Sequence, residues 1–130
     1  MPTLATRPSF EELAQVLRGR LIRPGEDGYD GARAVYNAMI DRKPAAIAQC
    51  EDTGDVLACV NFARSHGVDL AVRGGGHNAA GLGVWDDALV VDLSAMRAVS
   101  VDADARTVTA QGGCLWSDVD GATAEVGMAT

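Results

Sequence analysis

Cationic side chains are scarce in this sequence. Lysine and arginine together number 11 against 18 acids, for a formal net charge of −7, and Lys43 is the only lysine. Such a charge balance disfavours a nucleic acid or an anionic membrane surface as partner. Cysteine is also rare: Cys50, Cys59 and Cys114 are odd in number and widely spaced, with no Cys-x-x-Cys pair. That argues against a disulfide framework or a metal site and for a reducing, cytoplasmic setting. No apolar run approaches the roughly 18 residues that a membrane span requires. The opening residues lack a basic segment followed by an apolar one, so no secretory signal is expected. What is present is ordinary for a globular domain: 130 residues, 48% hydrophobic and 22% charged. A chain of this size buries roughly two-thirds of its unfolded surface, enough for one real core.

Local patterns predict an α+β fold with a mixed sheet. Ser9 and Glu12 have the spacing of a capping box ahead of Phe10, Leu13 and Leu17, which predicts a helix over 9–18 with Gly19 as a left-handed cap. Residues 21–44 are rich in turn formers (Pro24, Gly25, Asp27, Gly28, Asp30, Gly31), with room for one short helix over 32–40. The run AAIAQC at 45–50 reads as a strand. A helix capped by Thr53 and ended by Gly67 follows, then the strand LAVR at 70–73, which together make a βαβ unit with parallel strands. A third strand is expected at 89–93, a hairpin over 99–109, and a last helix from about 115 to Gly127. The sequence stops at Met128-Ala129-Thr130 without a polar tail, and the front part of a longer protein is expected.

The segment carrying chemistry is Arg73-Gly74-Gly75-Gly76-His77-Asn78, followed by Gly81 and Gly83. Glycines leaving a buried strand let the backbone approach a bulky ligand and aim bare N–H groups at a phosphate. A plain tight turn is the competing reading. Arg73 adds a cation, and His77 stands at the tip. A branched side chain at Gly75 is expected to block the ligand and to resist a positive φ. Gly74-x-Gly76-x-x-Ala79 formally matches the dinucleotide fingerprint with Asp92 downstream. That fingerprint must open a helix, however, and Gly81, Gly83, Trp85, Asp86 and Asp87 do not propagate one. Nor is there a Gly-Lys-Ser/Thr for a nucleotide-triphosphate loop. His66 is expected to serve the end of its helix and Asp118 and Asp120 the start of theirs. Cys50, Cys59 and Cys114 are expected as buried residues, and Trp85 and Trp116 as packing residues.

In combination, VRGGGHNAAG, LVVDLSAMRAVSVD and TVTAQGGCLWSDVD resemble the berberine-bridge-enzyme-like branch of FAD-linked oxidases, which has the vanillyl-alcohol-oxidase (PCMH-type) flavin fold. The resemblance runs from about Leu21 to Thr130. It implies a domain of two α+β subdomains with FAD between them: a lead-in over 1–44, a first subdomain over about 45–88 and the start of a second over about 89–130. It also implies that residues 73–78 surround the FAD pyrophosphate, that Gly81 closes the loop, and that His77 is joined covalently to the 8α-methyl of the flavin. A second, cysteinyl link found in some relatives lies beyond this chain, so Cys114 does not match it. The implied activity is hydride removal from an alcohol, sugar or C–N substrate with oxygen as acceptor. The substrate domain and the catalytic base are expected beyond Thr130, so no catalytic acid or base is assigned here. The readings from other classes are a non-catalytic nucleotide- or phosphate-binding domain using the same loop, and an inactive truncated fragment.

Overall fold

The computed structural model describes residues 8–130; residues 1–7, the start of the lead-in expected over 1–44, lie outside the described residues. In chain order the elements are α1 (Glu11–Val16), β1 (Arg20–Ile22), α2 (Tyr29–Arg33), β2 (Ala46–Gln49), α3 (Thr53–His66), β3 (Leu70–Arg73), β4 (Leu89–Asp92), β5 (Val99–Asp102), β6 (Thr107–Ala110) and α4 (Trp116–Ala124). The fold is α+β with a mixed sheet. Strands β1-β2-β4-β3 form one sheet in that order, and β5-β6 form a separate antiparallel pair.

The centre of the larger sheet is dictated by two apolar runs. Successive strand side chains point to opposite faces, so a strand covered on both sides reads as continuously apolar. In β2, Ala46 and Ala48 face a cluster with Leu13, Cys50, Cys59 and Phe62, while Ile47 faces a second cluster with Ile22, Tyr29 and Val84. In β4, Leu89 and Val91 share the first face and Val90 the second. Helices α1 and α3 cover one side, and α2 with its flanking turns covers the other. Each fully buried Leu, Ile or Val adds about 1.5–3 kcal/mol over leaving it exposed.

Strand β4 lies between β2 and β3 and runs parallel to both. The expected βαβ strands are therefore parallel but not neighbours. Residues 89–92, expected to open the second subdomain, instead belong to the first sheet, and the change of sheet comes between Asp92 and Val99. Strand β4 is fully buried and needs partners on both edges, a position that local sequence does not encode.

The helix ends differ from the sequence expectation in instructive ways. The Ser9–Glu12 capping box does not form: Ser9 Oγ accepts only the Glu11 amide at 3.4 Å, and Phe10 occupies the cap position without a side-chain bond. Gly19 is not a helix cap, because α1 ends at Val16 with Leu17 extended. A Cβ on Gly19 would stand 1.8 Å from the Gln49 carbonyl oxygen, so glycine there serves a close backbone approach. Helix α3 is capped by Asp52, whose side chain accepts the Asp55 amide, rather than by Thr53. Gly67 does end α3 in the left-handed conformation. The short helix expected over 32–40 forms earlier, as α2, and the stretch that follows it is irregular.

Asp55, 1% exposed, ties the first elements together. Its carboxylate accepts the amides of Arg18, Gly19 and Glu51 at 2.8, 3.0 and 2.9 Å. Burial alone would raise its pKa, but these three donors outweigh burial and hold the carboxyl below the usual range. No helix among the described residues is long and apolar enough to cross a membrane.

Candidate functional site

Strands β2, β3 and β4 are parallel, so their C-terminal ends open on one edge of the sheet, where ligands of open α/β sheets collect. The glycine loop leaves that edge directly from β3. The Leu93 amide donates to the Arg73 carbonyl at 2.9 Å, fixing the start of the loop beside the end of β4. Across from it lies the Gln111-Gly112-Gly113 turn, whose Gly113 amide donates to the Met96 carbonyl at 3.0 Å. A Cβ on Gly113 would stand 1.8 Å from the Leu93 carbonyl oxygen. A Cβ on Gly74 would meet the Gly112 carbonyl oxygen, so the two glycine-rich turns lie backbone to backbone.

Within the described residues, the amides of Gly74, Gly75, Gly76, His77 and Asn78 donate to no protein acceptor. Consecutive unpaired N–H groups at a strand end suit an anion. They border a depression of about 260 Å³ whose lining includes Arg73, Gly75, Gly76, His77, Asn78 and Leu82. Ligand pockets usually measure about 300–1,000 Å³, so this hollow has room for a small group the size of a diphosphate and not for a whole large ligand. A larger hollow of about 620 Å³ lies elsewhere and is lined by Asp30, Asp86 and Asp87 with Lys43. Its excess of carboxylates repels a phosphate, so size does not identify the site here.

Each glycine of the loop has its own reason. Gly76 has φ +71°, a conformation that side chains resist. Gly75 has no positive φ, contrary to the sequence expectation; a Cβ there would instead stand 3.1 Å from Cδ2 of the His77 ring. Gly81 has φ +73° and packs under Ile40, which a Cβ would meet at 2.7 Å.

Arg73 is anchored through one end of its guanidinium and still lines the depression beside the loop. Its Nη1 donates to the Ala32 carbonyl, and the guanidinium lies beside Gly76, with Nε 3.2 Å from where a Gly76 Cβ would stand. Asn78 Oδ1 accepts the Leu82 amide at 3.1 Å and closes the turn. The side chains of Arg73 and Asn78 and the backbone at Gly81 thus shape the loop, while the amides of residues 74–78 meet no acceptor among the described residues. The His77 ring is exposed at the tip but is not bare, because Tyr36 stacks on it with ring centroids 4.9 Å apart and planes 13° apart.

Tyr36 and its neighbours are the residues that sequence reasoning missed. The Tyr36 amide donates to the Gly76 carbonyl at 2.9 Å, and Asn37 Nδ2 donates to the Ala79 carbonyl at 3.0 Å. Both lie in an irregular stretch with no periodicity to mark them.

The remaining expectations are placed as follows. His66 Nδ1 lies 2.9 Å from the Phe62 carbonyl oxygen and its ring stacks on Phe62, a role in α3 itself. Cys50 and Cys59 are buried with sulfurs 4.0 Å apart, and Cys114 is half-buried against the Ala98 carbonyl. Asp118 pairs with Arg97 and caps α4 at the Leu115 amide; the guanidinium, then that amide, holds its carboxyl below the usual range. Trp85 lies under the Arg42 guanidinium at 4.0 Å. Trp116, expected to pack, is 72% exposed at the first position of α4.

Comparison with known proteins gives a consistent answer. Residues 44–130 match the family described as FAD binding domain. The FAD-linked oxidoreductase pgmH of Aspergillus terreus is 34% identical over 124 residues, 93% of this chain and 25% of that protein. Among solved structures, 6-hydroxy-D-nicotine oxidase from Arthrobacter nicotinovorans superposes with a TM-score of 0.80 at 27% identity, over 98% of this chain and 26% of that one. The BBE-like 1 protein of Physcomitrella patens gives 0.71 at 29% identity, over 78% and 22%. The chain spans about a quarter of the length of the curated relatives it matches.

Proposed function

Because the chain belongs to the FAD binding domain family, we propose that residues 74–78 hold the FAD diphosphate and that His77 carries the flavin covalently, within an oxidoreductase that uses oxygen as acceptor. The observation that carries this reading is the row of five amides, 74–78, without acceptors among the described residues, together with the exposed imidazole of His77. FAD fits this donor set: backbone N–H groups neutralise phosphate without requiring a cationic surface, which this acidic chain lacks.

The isoalloxazine, when bound, supplies two-electron chemistry toward an alcohol, sugar or C–N substrate. The chain's residues bind and orient it. Gly76 turns the backbone, Asn78 and Gly81 hold the far side of the loop, and Arg73 anchors the near side to Ala32. His77 would hold the isoalloxazine through a bond from a ring nitrogen at the exposed tip of the loop. A small-molecule substrate would be held by parts of the protein outside these residues. A cytoplasmic location fits the three free cysteines.

The test is Gly75→Val in the full-length protein. The branched side chain displaces the His77 ring and fills the depression, so purified protein should contain flavin only at background while keeping its circular dichroism. Normal flavin content in the folded variant contradicts the assignment of the loop.

A further inference from the structure

The stretch between α2 and β2 has no regular structure, yet it lies against the glycine loop along a continuous seam. Tyr36 bonds Gly76, Asn37 bonds Ala79, Ile40 packs on Gly81, and Arg73 reaches back to Ala32. At the centre of that seam, the Tyr36 ring lies nearly parallel to the His77 ring. Tyr36 is 78% exposed, so its ring does not fill the core. Among the described residues, the imidazole is its only ring partner.

An imidazole after three glycines has two freely rotating side-chain torsions and little to restrain them. The lone pair that forms a bond to carbon lies in the plane of the ring, so the orientation of that plane decides whether the nitrogen aims at a bound ligand. A parallel aromatic neighbour on one face restricts the plane while leaving the ring edge and the other face open. Stacking of this kind adds to area burial and is enough to bias a surface rotamer.

We propose that Tyr36 is a positioning residue for His77, its ring holding the imidazole plane in the orientation from which flavin is attached. This rests on the reading that His77 carries the flavin. The Tyr36 amide bond to Gly76 fixes the backbone from which the ring projects, so any residue but proline at position 36 keeps that bond.

The test compares wild type, Tyr36→Phe and Tyr36→Leu in the full-length protein. Each is prepared without flavin and then mixed with FAD, and total bound and acid-stable flavin are followed in time. Tyr36→Leu should bind as much total flavin but form the acid-stable adduct slower by on the order of tenfold, the cost of a lost near-attack orientation. Tyr36→Phe should restore the wild-type rate, since the ring rather than the hydroxyl makes the contact. In the flavin-free proteins, the His77 carbon-bound proton resonances should move downfield in Tyr36→Leu and stay in place in Tyr36→Phe. Attachment at the wild-type rate in Tyr36→Leu, or unmoved His77 resonances, overturns the proposal. So does loss of total flavin in Tyr36→Leu, which would make Tyr36 a folding residue of the loop. Wild-type protein without acid-stable flavin defeats the underlying reading instead, and that result is seen before any variant is compared.

Discussion

A Cβ on Gly74 would stand 2.8 Å from the carbonyl oxygen of Gly112. The glycine loop after β3 and the glycine turn before α4 therefore touch through bare backbone, and this contact joins the four-stranded sheet to the hairpin unit. Gly74→Ala must push the two turns apart, and is expected to cost about 1–3 kcal/mol in urea unfolding, the usual range for overpacking. Gly83→Ala, where the nearest atoms to a new Cβ lie 3.8 Å away, should cost nothing measurable. Equal stabilities for the two variants would contradict the contact.

The Asp55 carboxylate links stability to pH. Its three backbone donors hold its native pKa below the unfolded aspartate value of about 3.9. A depressed native pKa stabilises the fold above the unfolded value, and that stabilisation is lost as pH falls through the native one. Asp55→Asn should cost about 1.5–3 kcal/mol near neutrality, as expected for hydrogen bonds to a charged group. The gap between wild type and variant should then narrow from about pH 5 down to about pH 2. A gap independent of pH would mean that the carboxylate is not the acceptor described.

Sequence made some of this legible and hid the rest. The runs AIAQ and LVVD marked the buried strands, and the apolar spacing of α3 with Gly67 at its end marked that helix to within one residue, its cap being Asp52 rather than Thr53. Arg73-Gly74-Gly75-Gly76-His77 marked the loop through its combination, since a glycine triplet alone reads equally as a tight turn and the flanking arginine and histidine distinguish it. The order of β3 and β4 in the sheet was not legible, since it depends on which apolar faces meet at a distance. Gly19 was misread because a helix cap and a close approach to Gln49 ask for the same residue. Tyr36 carried no signal: it lies in a turn-rich stretch, and only its partner across the fold gives it meaning. That Arg73 also anchors to the Ala32 carbonyl was not legible, since nothing local shows that contact.

The thiols should differ in reactivity. Contact with Cys59 and burial push the Cys50 thiol well up, and both sulfurs are sealed from solvent. Cys114 alone of the three is partly open. A maleimide should label Cys114 in the native protein and reach Cys50 and Cys59 only after unfolding. Native labelling of Cys50 or Cys59 at a comparable rate would contradict the packing of α3 on β2.

The central claim is the bond between His77 and the flavin. Trypsin cuts after Arg73 and Arg97, so His77 is released within a single peptide, residues 74–97. The decisive measurement is mass spectrometry of that peptide from freshly purified, flavin-replete full-length protein, with fragmentation to locate the modified residue. The account predicts the peptide carrying one flavin, localised to His77 and absent from a His77→Ala variant that still binds FAD reversibly. An unmodified peptide from protein that releases all its flavin in acid would contradict it.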